Sequence, residues 1–170
     1  MKNIIKASLL AATVLLTTSA FAVNKTSSFA VTTTISPACT INANALAFGV
    51  YDPLGVNAST PLTGSTTISL QCVDELTGTL SLDEGLYVAA GSSPVTPLRR
   101  MQCADADGSF LTYGLYQDAA LSQVWGASTS SMNITGDGTA HSITVYGKVD
   151  PGQVQEDESY SDTVVATVSY

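Results

Sequence analysis

The residues able to do chemistry in this chain are few and poorly grouped. Serine is abundant, but a serine nucleophile needs a base that is itself held by a third group, and the chain has a single histidine, His141. No Gly-x-Ser-x-Gly turn occurs to present a nucleophile. His141 shares its parity with Ile143 and Val145 in the run from His141 to Gly147, so it reads as a structural, hydrogen-bonded side chain rather than a base. Asp83-Glu84 brings two carboxylates together. Neighbours on an extended strand point to opposite faces, however, so the pair is a weak candidate for flanking a glycosidic bond. Asp105-Ala106-Asp107-Gly108 opens like a calcium loop but lacks the third ligand before the glycine and the closing glutamate, and it reads as a solvated turn. Three cysteines, Cys39, Cys72 and Cys103, form no Cys-x-x-Cys pair, and one histidine is too few for a zinc cluster. The pattern points away from an enzyme, and no cofactor or metal is expected.

The elements that carry these residues are β-strands. Runs with period-2 alternation recur, as in Thr66 to Val73, where Ile68, Leu70 and Cys72 share one face. Leu111, Tyr113 and Leu115 alternate in mid-chain, and Val164, Ala166, Val168 and Tyr170 alternate at the end. Turn signals separate the runs at Asp52-Pro53, Thr63-Gly64-Ser65, Gly91 to Pro94, Asp107-Gly108, Gly136 to Gly138 and Asp150-Pro151-Gly152. No stretch reads as a helix. Short strands at this spacing predict an antiparallel sandwich or barrel.

The two ends of the chain depart from this pattern. Lys2 and Lys6, the apolar run Ala7 to Leu16 and Ala20-Phe21-Ala22 make residues 1–22 a secretory signal peptide, cleaved after Ala22. The apolar run is about half of the roughly 20 residues a membrane span needs. Removing residues 1–22 from the 170 leaves 148, enough for one domain with a sizeable core. It also leaves Lys25, Arg99, Arg100 and Lys148 against fourteen acidic residues, a net charge of about −10. Nucleic acid and anionic membranes, which call for clustered lysine and arginine, are thereby disfavoured as partners. Phe29, Val31, Ile35, Cys39 and Ile41 keep one parity, with Thr33 and Pro37 filling the gaps. A strand normally runs about five or six residues, so this stretch predicts two consecutive strands, the first not belonging to its own domain.

The residues also carry a resemblance. Cys39-Thr40-Ile41, Phe48 to Pro53 and Cys72 are followed by Arg99-Arg100-Met101, Leu111 to Asp118 and Trp125-Gly126. Val145 to Val149 and Tyr160 to Tyr170 complete the series. In this order they resemble the spore coat protein U domain family and, within it, the major pilins of archaic chaperone–usher pili of the Csu type. The chain departs from the family pattern at Cys103, and at Glu158-Ser159 before Tyr160, where a glycine is usual.

The resemblance implies an all-β fold, an incomplete immunoglobulin-like β-sandwich lacking its last strand and completed by a donor strand from a partner. It implies a structural pilus subunit that is exported through the periplasm to a surface fimbrium, supporting adhesion and biofilm formation. The implied partners are further copies of the chain, a periplasmic pilus chaperone, an outer-membrane usher and other pilus subunits. A minor or tip subunit, and a secreted coat or binding sandwich that does not polymerise, remain alternatives.

On this frame residues 1–22 are the signal peptide, 23–35 the N-terminal donor extension and 36–170 the sandwich domain. Phe29, Val31, Thr33 and Ile35 form the inserting face of the donor. Val164, Ala166, Val168 and Tyr170 form the edge strand of the acceptor groove, with nothing after Tyr170 to pair beyond it. Cys39 and Cys72, in core-facing runs near the start of adjacent strands, are expected to form the disulfide. Cys103, in a polar turn beside Asp105, is then free or pairs between subunits.

Overall fold

A computed structural model describes residues 23–105 and 108–170; the signal peptide expected at 1–22 lies outside the described residues. The chain divides into two units, one ending at Thr34, of which residues 23–34 are described, and the other spanning Ile35–Tyr170. In the first, residues 23–34 form no strand or helix and their side chains are exposed. Alternation supplies such a segment with an apolar face, but a strand also needs a hydrogen-bonding neighbour. The expected pair of consecutive strands is therefore realised only in its second member.

The larger unit is built of strands, with two short 3-10 turns. β1 (Cys39–Ala43), β2 (Leu62–Cys72), β7 (Ala140–Val149), β5 (Phe110–Tyr116), β4 (Arg99–Cys103) and β8 (Tyr160–Ser161) make one sheet, in that spatial order. β6 (Met132–Thr135), β3 (Thr77–Leu82) and β9 (Ala166–Ser169) make the other, with β3 in the centre. Every pairing is antiparallel. The longest ladder runs from Leu62 opposite Val149 to Gln71 opposite Ala140.

Between the sheets lies one core. Ile68, Leu70 and Cys72 face inward from β2, as their alternation predicts, and meet Leu80 and Leu82 of β3, Tyr113 and Leu115 of β5, Ile134 of β6, and Val145 and Val149 of β7. Trp125 is fully buried and donates its indole N–H to the Leu80 carbonyl at 3.2 Å, so its polar edge is satisfied. Cys39 and Cys72 stand opposite each other on β1 and β2 and are joined by a disulfide. Closing a loop with a sequence separation of 33 residues stabilises the fold by about 3–4 kcal/mol.

Two sequence expectations are corrected. Thr63-Gly64-Ser65 is not a turn but lies inside β2, where Gly64 pairs with Gly147 of β7. A Cβ on Gly147 would sit 2.6 Å from Leu46 and 2.7 Å from Phe48. The two glycines thus make a bare patch on which those side chains lie, which is the other use of glycine in a strand. Cys103 does not sit in a polar turn. It is the last residue of β4, 3% exposed and in no disulfide, because β4 runs further than the turn signals suggested. His141 is hydrogen-bonded, as expected. It is exposed at the start of β7, where Nε2 meets Asp137 Oδ2 at 2.9 Å and Thr139 Oγ1 at 3.1 Å. The Thr139 hydroxyl and amide, and then His141, hold the Asp137 carboxyl down at about 2.

Candidate functional site

β9 is the end strand of its sheet: β3 pairs with one side of it and, among the described residues, no strand pairs with the other. The segment leading into it is extended and switches sheets, since Tyr160 and Ser161 pair with β4 while Ala166 to Ser169 pair with β3. β8 is likewise the end strand of the other sheet. The Ser159 carbonyl accepts from the Ala104 amide at 2.8 Å and the Val165 carbonyl from the Asp83 amide at 3.0 Å. Successive residues of a strand direct their backbone groups to opposite sides. The odd-numbered residues therefore serve β4 and β3, and the amides and carbonyls of Val164, Ala166 and Val168 face the open side.

Two carboxylates hold the sheet switch in place. Asp83 Oδ1 accepts from the Val165 amide at 2.9 Å and the Gly85 amide at 3.0 Å. Asp162 Oδ1 accepts from the Leu86 amide at 2.9 Å and the Thr163 amide at 2.8 Å, and Oδ2 from the Tyr113 hydroxyl at 2.6 Å. Asp83 and Glu84, the adjacent carboxylates noted in the sequence, are held by different partners. Asp83 lies just past β3 and is spent on backbone, while Glu84 accepts from the Ser92 hydroxyl. The calcium-like Asp105 to Gly108 stretch includes Ala106 and Asp107, which lie outside the described residues. Among the described residues no group of three or more His, Cys, Asp or Glu is placed to hold a metal.

Burial and the Asp162 hydrogen bond push the Tyr113 phenol well above its ordinary range. A phenol that binds its proton more tightly when folded stabilises the fold fully below the unfolded pKa of about 10, and that contribution is lost as pH rises beyond it. Unfolding followed from pH 8 to 11 is thus expected to show an alkaline loss of stability that is smaller in Tyr113→Phe. An equal loss in both chains would rule out this origin.

Beneath the switch, Arg99 is 1% exposed. Its Nε donates to the Asp83 carbonyl at 2.9 Å, and Nη2 to the Trp125 carbonyl at 2.8 Å and the Leu82 carbonyl at 3.3 Å. Burial pulls the guanidinium below its ordinary value, opposed by Tyr113, Asp83, Asp162 and Glu84. The sequence marked Arg99 only as part of a motif. Its alternation with Met101 and Cys103 on β4 was the available signal for burial.

A cleft of about 480 Å³ opens beside the edge. Its apolar walls include Leu46, Phe48, Ile68, Leu82, Met101 and Val145, and along the β9 side it is lined by Tyr160 to Val164 and Ala166. Of the expected acceptor residues, Val164, Ala166 and Val168 are half-buried against the core, whereas Tyr170 lies past β9 and is exposed. On the expected donor face Phe29, Val31 and Ile35 are 85%, 84% and 81% exposed, and Thr33 is exposed as well. Contacts assign Ile35 to the larger unit rather than to the extension.

An alternating segment with bare apolar side chains, a disulfide between β1 and β2, and a sandwich with an open edge and a cleft are thus parts of one chain. A family model for the Spore Coat Protein U domain matches residues 25–167. The chain belongs to the Spore Coat Protein U domain family. It is similar to Protein U of Myxococcus xanthus, with 37% identity over 179 residues that take in 99% of each chain. Among solved structures it is similar to a chain of the CsuC–CsuE chaperone–tip adhesion subunit pre-assembly complex from archaic chaperone–usher Csu pili of Acinetobacter baumannii. The TM-score is 0.56 at 20% identity, over 81% of this chain and 40% of that one. The likeness to the Csu chain is one of fold, and this Spore Coat Protein U domain chain spans about 40% of its length.

Proposed function

We propose that this chain is a non-enzymatic structural subunit of a chaperone–usher surface pilus, joined to its neighbour by donor-strand exchange. The observation that carries the reading is the open edge of β9 with an apolar cleft beside it, in a chain that also carries a spare alternating segment, 23–35. An edge of unpaired amides and carbonyls is a template for another strand, and strand addition satisfies it with main-chain hydrogen bonds while alternate side chains enter pockets.

The subunit is exported through the periplasm, where a chaperone strand fills the cleft. At an outer-membrane usher, residues 23–35 of the next copy replace that strand, and the product is a fimbrium serving adhesion and biofilm formation. Neighbours are further copies of the chain and other pilus subunits. The negative charge argues against nucleic acid. The likeness to the Csu complex supports the chaperone as a partner class. The role as major rather than tip subunit rests on the resemblance of the motifs between Cys39 and Tyr170 to the major pilins.

Burying Phe29, Val31 and Ile35 contributes about 1.5–3 kcal/mol each. Roughly ten main-chain hydrogen bonds add about 1 kcal/mol each before ordering costs. A linkage inside a sandwich core also opens only by unfolding, so its durability is kinetic.

The match to the Spore Coat Protein U domain, with the likeness to Protein U, favours one second reading, a component of a surface coat. A gel of unboiled surface material separates the possibilities. The pilus reading expects a high-mass ladder that collapses to monomer on boiling, together with fibres by electron microscopy. A ladder from an amorphous layer favours the coat, and a monomer band before boiling overturns strand exchange.

A further inference from the structure

The open edge has a sequence of its own that selects one alignment of the incoming strand. Along it the half-buried residues that line the cleft are Tyr160, Asp162, Val164 and Ala166, whereas Ser161 and Thr163, which also line it, are exposed. Read from Ala166 backwards the order is small apolar, apolar, acidic, aromatic. The inserting face of the extension reads Phe29, Val31, Thr33, Ile35, which is large apolar, apolar, hydroxyl, apolar. The two orders match only when the strands run antiparallel.

Resting on the strand-exchange reading above, we propose that residues 29–35 of a second copy lie antiparallel to residues 160–166. In this alignment Phe29 is opposite Ala166, Val31 opposite Val164, Thr33 opposite Asp162 and Ile35 opposite Tyr160. The Thr33–Asp162 pair sets the register. Residues directly opposite on one face of an antiparallel pair are side-chain neighbours. The alignment puts the largest donor side chain beside the smallest acceptor side chain, and the one polar donor residue beside the one carboxylate. Asp162 can accept once more: a carboxylate offers about four lone-pair sites, and the Leu86 and Thr163 amides and the Tyr113 hydroxyl take three.

Other registers fail on the same chemistry. Sliding the donor by two residues in either direction sets Val31 or Ile35 against Asp162. Reversing it, with Phe29 opposite Tyr160, sets Val31 there, and a parallel donor that keeps Thr33 opposite Asp162 sets Phe29 opposite Glu158. An apolar partner closes over a carboxylate without offering it a hydrogen bond, a cost the proposed register avoids.

The register is read by cross-linking on the outward face, where the core is not disturbed. Ala30 falls opposite Val165, whose side chain is 54% exposed and whose backbone groups are turned to Asp83. Such a non-hydrogen-bonded pair has Cα atoms about 4.5 Å apart, within disulfide reach. Full-length chains carrying Ala30→Cys with Val165→Cys are mildly oxidised in surface material and run boiled without reductant. A covalent ladder is expected, and it collapses on reduction.

Ala30→Cys with Thr163→Cys or with Thr167→Cys, each displaced by two residues, is expected to yield about a tenth or less of that ladder. A stronger ladder from either shifted pair overturns the register and leaves strand exchange standing. Cross-linked product confined to monomer mass overturns the second copy as occupant, because the chain then fills its own cleft. No ladder in unboiled, unsubstituted material removes strand exchange and the register together.

Discussion

Val31→Asp in the full chain is expected to abolish surface polymer while leaving the subunit soluble and bound to its periplasmic partner. Val31 is almost wholly exposed and lies in no strand, so the substitution removes nothing from the folded sandwich. On the strand-exchange reading proposed above the same position enters an apolar cleft in the assembled state, and an unpaired carboxylate there costs several kcal/mol. A penalty of about 4 kcal/mol lowers an assembly equilibrium about a thousandfold. Phe29→Asp should behave alike.

Thr32→Lys is the control: successive strand side chains point to opposite faces, so Thr32 faces away from the cleft and its replacement should be nearly silent. Fibre yield and the amount of chaperone-bound subunit are measured for each variant. Equal loss of the bound subunit would assign these residues to the chain's own fold. Equal tolerance at all three positions would sink the donor role.

Arg99→Met is expected to give the largest loss of stability from a single polar residue. The guanidinium serves the carbonyls of Leu82, Asp83 and Trp125 at the point where β3 ends. Methionine fills most of the volume and serves none of them. Leaving buried acceptors unpaired costs about 1–3 kcal/mol each, and some relaxation brings the expected total to about 3–5 kcal/mol. For a domain of this size that lowers Tm by about 10 °C or more.

Arg100→Met should cost less than about 1 kcal/mol. Arg100 is half-buried, with its guanidinium 4.0 Å from the Phe110 ring centroid and Nη2 on the Val88 carbonyl. Thermal unfolding of the two variants side by side is the check, and similar losses would show that burial does not separate the two arginines.

Much of the framework was legible in the alternation of residues. Ile68, Leu70 and Cys72, or Leu111, Tyr113 and Leu115, are inward in the fold because period-2 patterning and a single buried face leave each strand one choice of side. The misreadings share a physical origin. Gly64 carries the same signal whether it makes a turn or a flat place in a strand, and only the arrival of Leu46 and Phe48 over Gly64 and Gly147 separates these uses. Cys103 looked like a turn residue because Asp105 and Gly108 follow it, but β4 runs through to the cysteine.

By itself the sequence determined an all-β chain, the inward face of its principal strands, the disulfide partners and a spare alternating segment near the start. Each of these follows from local pattern or from two cysteines standing at the ends of inward-facing runs. Only the tertiary structure decided that the segment from Tyr160 to Ser169 crosses from one sheet to the other, that Asp83 and Asp162 clamp the crossing, and that Arg99 rather than Arg100 is buried beneath it. The long-range bonds of that clamp join residues 49, 76 and 82 positions apart in the chain. Such contacts leave no periodic trace in the sequence, because a carboxylate that accepts from a distant backbone amide constrains its own identity but not the type of residue that donates.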